Sequence, residues 1–502
     1  MSALHRNFPF SLQRGAWYCT LALLGTAFLS VFCPRKAPAV EKPNKPNLVL
    51  ILADDLGYGD PHCYNKDSKI PTPNLDRLAA QSIRFTDAHT PCAVCTPTRY
   101  GLLTGRYCWR TSLKRGVLNG YSPLLIEPKR VTLASLLKQH GYVTDGFGKW
   151  HLGLGDADKT DFGKRLRPGP CSVGFDSYFG IPASLDMPPY VFIDNERVTE
   201  APSETIKDSA MRRKGGAGFW RGGAIAPHFK HVDVLPAITE KAIGFVRSGT
   251  VQNNPFFLYL ALTGPHTPWM PTAEFRGKSK AGYYGDFVAQ VDAGVGRLLQ
   301  ALDDGKLSDN TLVIFTSDNG AHWLPEDIEK WGHRANGGLR GQKADIWEGG
   351  HRVPFLARWP GRIAAGSTSK ELICLTDILA TIAAVVGVRL PDDAGEDSYN
   401  ILPALRGDKL DRPIREAIVH SSGDGTLAIR QGPWKLALAR GSHGFSAPRT
   451  IQPKAGEAQG QLYNLDDDPR EQKNLWLEKP EIVKRLTALL EKYKREGRSC
   501  PR

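Results

Sequence analysis

Residues 95–106 read CTPTRYGLLTGR. Cys95 is followed at fixed offsets by Pro97 and Arg99, and then by a Leu103-Thr104-Gly105-Arg106 tail. A thiol that works as a nucleophile needs a base or a cationic neighbour to expose its thiolate, and no histidine lies in this stretch. The chemistry of Cys95 therefore depends on groups from elsewhere in the chain. Asp54 and Asp55 follow NLVLILA, Lys149 and His151 follow YVTDGFG, His266 follows PFFLYLALTGP, and Asp318 and Asn319 follow TLVIFTS. The carboxylates and the amide are hard oxygen donors, which suit calcium better than zinc, and no HExxH helix argues for zinc. Arg99, Lys149, His151, His266 and Lys343 form a complementary cationic set, of the kind that surrounds a small tetrahedral anion during group transfer.

These groups can meet only if the elements that carry them share one edge. NLVLILADD is a continuous apolar run closed by acids, which predicts a strand buried on both faces. YVTDGFGK, PFFLYLALTGP and TLVIFTS are further strands, each running into a polar loop. Between them, TPNLDRLAAQS and VTLASLLKQHG have helical spacing, the latter stopped by Gly141, and Phe287, Val291, Val295, Leu298 and Leu302 mark a long amphipathic helix. Apolar strands alternating with helices predict an α/β fold with a large, mostly parallel central sheet. In such sheets ligands bind beyond the carboxyl ends of the strands, which is where the chemistry-bearing residues fall.

The tail changes character. AIVHSS and TLAIRQGPWKLALA alternate as antiparallel strands do, LYNLDDDPREQKNL reads as a polar turn region, and Ile482, Leu486, Leu489 and Tyr493 give a last amphipathic helix. The expected organisation is an N-terminal segment over 1–39, a catalytic domain over 40–410 and a small sheet-plus-helix subdomain over 411–502.

The N-terminal segment has the layout of a secretory signal peptide. Arg6 and Arg14 precede an uncharged apolar run from Ala16 to Cys33, and Ala37-Pro38-Ala39 supplies small residues for cleavage after Ala39. Left uncleaved, the run is long enough to anchor the protein in a membrane. Either outcome places the remainder outside the cytoplasm, periplasmic or secreted, and the absence of an Asn-x-Ser/Thr sequon favours a bacterial exported protein over a glycosylated lysosomal one. The formal charge of +13 falls when Arg6, Arg14, Arg35 and Lys36 leave with the segment, yet the remainder stays basic and attracts anions. No basic cluster alternates with aromatics, so nucleic acid is not an expected partner. Of the nine cysteines, Cys19 and Cys33 lie in the leader. Cys63, Cys92, Cys95, Cys108, Cys171, Cys374 and Cys500 remain, an odd set in which at least one thiol has no intramolecular disulfide partner.

Taken with its C-x-P-x-R core and T-G-R tail, CTPTRYGLLTGR resembles the signature of the formylglycine-dependent sulfatases. ADD at 53–55, GKWHLG at 148–153, GPH at 264–266, SDNG at 317–320 and GQKADIWEGGHRVPFLARWPG resemble further motifs of that family in the expected order, and LYNLDDDPREQKNL resembles its C-terminal segment. The similarity runs from about residue 46 to 475. Thr98 stands where serine is also common, and Arg340 is an alternative to Lys343 for the lysine position.

The resemblance implies an alkaline phosphatase-like fold and hydrolysis of sulfate monoesters, on aryl alcohols or on sulfated carbohydrate. It implies that a separate maturation enzyme reads C-x-P-x-R and oxidises Cys95 to Cα-formylglycine. The hydrated aldehyde carries two hydroxyls: one attacks sulfur, and deprotonation of the other collapses the adduct and restores the aldehyde. By the same resemblance, Asp54, Asp55, Asp318 and Asn319 hold one calcium together with the residue 95 oxygen. Arg99 and Lys149 neutralise charge, His151 is the base for collapse, and His266 with Lys343 binds sulfate and assists the leaving oxygen. A phosphonate monoester or phosphodiester hydrolase is the alternative within the superfamily. A non-catalytic sulfated-glycan-binding protein is the alternative if Cys95 stays a thiol. His322, His333, Arg334 and His351 are expected mainly at the surface, and the segments 180–198 and 212–223 at the pocket rim.

Overall fold

The computed structural model describes residues 45–209 and 218–501. The leader with its cleavage point, Cys19 and Cys33, and residues 212–217 of the second rim segment lie outside the described residues.

Strand β1, Asn47–Asp54, is buried along its whole length. Next come α1, Pro73–Ala80, the short β2, Ile83–Phe85, and α2, Cys95–Thr104. Helix α3, Leu133–Gln139, opens on a capping box in which the Thr132 hydroxyl accepts from the Ser135 amide, and it leads into β3, Val143–Lys149. The chain continues through β4, Ser177–Ile181, α4, His231–Val246, β5, Phe256–Pro265, α5, Gly282–Asp304, β6, Thr311–Ser317, and β7, Phe355–Arg358.

These strands form a ten-stranded sheet. Its order is Thr368–Ser369, β2, β7, β6, β1, β5, β3, β4, Ile193–Asp194, Arg197–Val198. The centre, β6-β1-β5-β3-β4, is parallel, and β7 runs antiparallel between β6 and β2. The uninterrupted apolar character of β1 follows from its double burial. Leu48, Leu50 and Leu52 join one core with residues of α2 and α3, while Val49, Ile51 and Ala53 join the other with α1, α4 and α5. The parallel register then brings the carboxyl ends together: Ala53 is paired with Ser317, Asp54 with Pro265, and Ala261 with Gly148.

A second, antiparallel sheet comprises β8, Ile418–Ser421, β9, Leu427–Gln431, β10, Trp434–Ala437, and β11, Gln461–Asn464. Helix α6, Pro480–Glu496, buries Leu486, Leu490 and Tyr493. The inward face thus uses Leu490 where the spacing predicted Leu489, which is only partly buried. The start of the LYNLDDDPREQKNL segment is strand, because Gln461–Asn464 adds to the edge of β10; the turn begins after it. All seven described cysteines are free. No described helix is long and apolar enough to cross a membrane.

Candidate active site

The ends of β1, β3, β5 and β6 and the start of α2 meet at one buried cluster. Asp54 and Asp318 are wholly buried. Asp55, next along β1, has φ 64°, a left-handed conformation that an aspartate tolerates but does not prefer. Its amide donates to Asp318 Oδ1 at 3.1 Å, which ties the end of β1 to the end of β6. The loop that follows also presses on the segment around residue 335: a Cβ at Gly57 would lie 2.2 Å from the Ala335 carbonyl oxygen, so only glycine fits there.

Each carboxylate carries its own cation. Lys149 Nζ donates to both oxygens of Asp54, at 2.8 and 2.7 Å. Lys343 Nζ lies 2.8 Å from both oxygens of Asp55. Arg99 donates through Nε and Nη2 to Asp318 Oδ2 at 3.0 and 2.7 Å, and through Nη1 to the Lys149 carbonyl at 3.0 Å. Burial would raise the Asp55 carboxyl, but the charges of Lys343, His266 and Lys149 hold it below the usual carboxylate range. Asp318 goes the other way, pushed up to about 6 by burial and then by the neighbouring Asp54 charge. Of the two candidates for the lysine position, Lys343 reaches the carboxylates, whereas Arg340 stacks over Trp347 and donates to the Glu471 carbonyl.

Cys95 begins α2 and is buried, its Sγ 3.8 Å from Asp54 Oδ1. Burial pushes the thiol up to about 12, although Lys149 and Lys343 pull it down. As a thiol it stays protonated near neutrality and is a poor nucleophile. His151, also in the left-handed region with φ 57°, lies beside it in the cavity described below. Its Nε2 donates to the Leu118 carbonyl at 2.8 Å, so the tautomer leaves Nδ1 with the lone pair, and Nδ1 is buried without a partner. Burial, then Lys149 and Arg99, holds this imidazole neutral, well below its ordinary value. His266 is lowered to about 4 by burial and by Lys343; its Nε2 faces Asp55 Oδ2 at 3.7 Å.

The donor set fits a hard divalent cation. Asp54, Asp55, Cys95 and His266 place potential ligand atoms within 4.8 Å of one another. Asn319 donates through Nδ2 to Asp55 Oδ1 at 2.7 Å, while its Oδ1 is buried and unpartnered. A buried amide oxygen left without a hydrogen bond is costly, and a cation in contact with it would remove that cost.

The cluster opens into a cavity of about 500 Å³ whose lining includes Asp55, Cys95, His151, His266 and Lys343. Its rim takes Asp186 and Met187 from the first expected rim segment and Phe219 and Arg221 from the second. Other rim residues were not foreseen: Asp424, His443, Phe445 and Arg449 come from the C-terminal sheet region, which carries no recognisable motif, and Trp269 follows β5. His322 also lines the cavity. The expectation of surface positions for His333 and His351 is corrected, since both are fully buried. His333 Nε2 pairs with Asp60 Oδ1 at 2.8 Å, beneath the β1 loop, and His351 sits in a polar network under the small sheet. Arg334 is exposed.

Comparison with known proteins agrees with this arrangement. The sulfatase family profile matches residues 46–388. The N-acetylgalactosamine-6-O-sulfatase of Bacteroides thetaiotaomicron is 36% identical over 513 aligned residues, covering 94% of this chain and 98% of that protein. Human arylsulfatase A is 36% identical over 459 residues, covering 87% of this chain and 84% of its own. A solved structure reported with the metabolism of multiple glycosaminoglycans by Bacteroides thetaiotaomicron superposes with a TM-score of 0.80 at 36% identity, covering 90% of this chain and 100% of that one.

Proposed function

The chain belongs to the sulfatase family and is a sulfuric ester hydrolase, and we propose that it is an exported, calcium-dependent sulfatase that removes 6-O-sulfate from N-acetylgalactosamine-type sugars. One observation carries the reading: Cys95, the oxygen donors Asp54, Asp55, Asp318 and Asn319, and the bases and cations His151, His266, Lys343, Lys149 and Arg99 converge at the floor of one sugar-sized cavity. Similarity to the N-acetylgalactosamine-6-O-sulfatase over nearly the whole of both chains supports the choice of sugar.

On this reading Cys95 is converted to formylglycine before folding. Every residue of Cys95–Thr104 is buried, so a maturation enzyme that reads Pro97 and Arg99 meets them only in the unfolded chain. Asp54, Asp55, Asp318 and Asn319 would hold the calcium ion, and the hydrated formylglycine would then supply a hydroxyl of lowered pKa to attack sulfur and a second hydroxyl whose deprotonation would release sulfate. His151 Nδ1, neutral and unpartnered, takes that second proton. Lys343 and His266 flank Asp55 on the cavity side, where they bind sulfate oxygens and assist the departing sugar oxygen. Arg99 and Lys149 pair with Asp318 and Asp54 and spread positive charge beneath residue 95. Export follows from the charged, then apolar, then Ala-Pro-Ala leader.

The test is sulfate release from N-acetylgalactosamine-6-sulfate and from 4-nitrophenyl sulfate, with calcium, by protein co-expressed with a formylglycine-generating enzyme. Mass spectrometry of the Cys95 peptide accompanies it. Release from the sugar, with aldehyde at position 95, is expected; preference for an aryl phosphonate, or full turnover by protein with an unmodified thiol, overturns the reading. N-terminal sequencing of protein secreted by a bacterial host should begin at Val40.

A further inference from the structure

The cavity extends beyond the sulfate-binding floor, and the segment Gly441–Arg449 forms part of its wall. That segment is held to the loop bearing Lys343. Asp345 Oδ1 accepts from the amides of Phe445 and Ser446 at 2.7 and 3.0 Å. The Ile346 amide donates to the Ser442 carbonyl at 2.8 Å, and the Ser442 and His443 amides close the loop onto the carbonyls of Pro448 and Arg449 at 3.0 and 2.9 Å. A Cβ at Gly444 would lie 2.3 Å from the Ala344 carbonyl carbon, so the approach of the two segments is as close as backbone allows. The loop is thus positioned against the catalytic floor.

Two of its side chains face no protein need. Phe445 is 52% exposed, one of few large apolar side chains so exposed, and its ring lies 5.1 Å from that of His322. The ring is held at the cavity wall by its backbone bond to Asp345, and its flat face suits the apolar C–H face of a pyranose. Arg449 is exposed and, among the described residues, its side chain has no hydrogen bond or ion pair. The cavity's other long cations are engaged, Lys343 by Asp55 and Arg221 by Asp186. An unengaged guanidinium is a bidentate receptor for an oxyanion.

We propose that Gly441–Arg449 forms a second-sugar subsite: Phe445 stacks on the ring attached to the sulfated sugar, and Arg449 binds an oxyanion, carboxylate or sulfate, carried by that neighbour. This rests on the sulfatase reading and narrows it to acidic sulfated oligosaccharides. The experiment compares kcat/KM on the sulfated monosaccharide with kcat/KM on disaccharides whose second sugar is neutral, a uronic acid, or itself sulfated. The wild type should prefer disaccharides. Phe445→Ala should lower the disaccharide-to-monosaccharide ratio about tenfold for every neighbour, and Phe445→Trp should restore it. Arg449→Ala should lower the ratio about fivefold for the anionic neighbours alone, an effect that shrinks at high salt; the uronate and sulfate arms tell which oxyanion is read. A wild type that releases sulfate from the monosaccharide but shows no disaccharide preference, or a ratio unmoved by Phe445→Ala, overturns the subsite and leaves the sulfatase reading standing. A wild type inactive on all of these substrates overturns both.

Discussion

Two buried clusters of ionisable residues differ in their access to the cavity. The first is the catalytic floor around Asp54, Asp55 and Asp318. The second lies where the small sheet meets the large one. There Arg430 grips Asp87 with two bonds of 2.8 Å, Lys435 Nζ contacts Glu348 and Glu471 at 3.0 and 2.8 Å, and His89 Nε2 pairs with Asp87 at 2.8 Å. Lys435 also donates to His351 Nε2 at 3.0 Å, and His351 meets His89 through Nδ1 at 3.0 Å. Hydrogen-bond contacts run the whole way from Lys435 through His351 and His89 to Asp87. The third histidine, His420, stacks on His351 with centroids 3.9 Å apart and planes 13° from parallel. Parallel stacked rings cannot aim their lone pairs at one ion, so three adjacent histidines do not make a metal site here. The comparison teaches that burial of charge alone does not identify function. The floor has a buried base nitrogen and an amide oxygen without partners and opens to a cavity; the network pairs its lysine and arginine with carboxylates, leaves His420 Nε2 without a partner, and contributes no residue to that cavity.

The contrast breaks if the same substitution affects both regions alike. The largest expected effect is Cys95→Ala, which should lower kcat on a sulfated sugar by roughly 1,000-fold or more with little change in unfolding midpoint, checked by sulfate release and calorimetry. Lys435→Met should do the reverse: it strands Glu471 without its cation and takes from Glu348 its nearest one, leaving that carboxylate to Arg352 and Arg430, at a cost of about 3–5 kcal/mol in guanidinium unfolding, while turnover of the folded protein stays near wild type. Chelation of calcium should abolish turnover, and restoring the ion to a hundred times its dissociation constant should add about 2.7 kcal/mol of stability. The most gradual effect is a slope. His89, His351 and His420 are held neutral by burial, below their ordinary range, whereas unfolded histidines take up protons near pH 6.5. Stability is therefore full above about pH 6.5 and declines as pH falls below it, by about 1.4 kcal/mol per histidine per pH unit. A flat unfolding profile between pH 7 and 5 would place the network's histidines in contact with water.

Much of the floor was legible because it obeys local rules. Asp54, Asp318 and Lys149 end or follow strands, and a parallel sheet has no choice but to bring those ends to one side. Lys343 entered the cationic set less firmly than the strand-end residues, since it lies on an irregular loop where spacing says nothing and Arg340 was an alternative. The helix that starts at Cys95 carries proline, threonine and glycine, and its helical state is imposed by packing against residues 375–385 and α3. His333 and His351 misled because histidine is polar by composition, and nothing local shows that Asp60 and Lys435 await them inside. The rim residues Phe445 and Arg449 were illegible because their role depends on a loop folding back across about a hundred residues of chain to Asp345.

None of the described cysteines is crosslinked, and this separates two quantities that are easily confused during preparation. Sheet and helix layers cohere through burial, hydrogen bonding and ion pairing without a crosslink, so a host with a reducing cytosol should assemble the same architecture as an oxidising one. The yield of folded protein then reports on the chain itself. Specific activity, on the proposed reading, reports something else: the fraction of molecules whose residue 95 was altered during the interval before α2 closed over it.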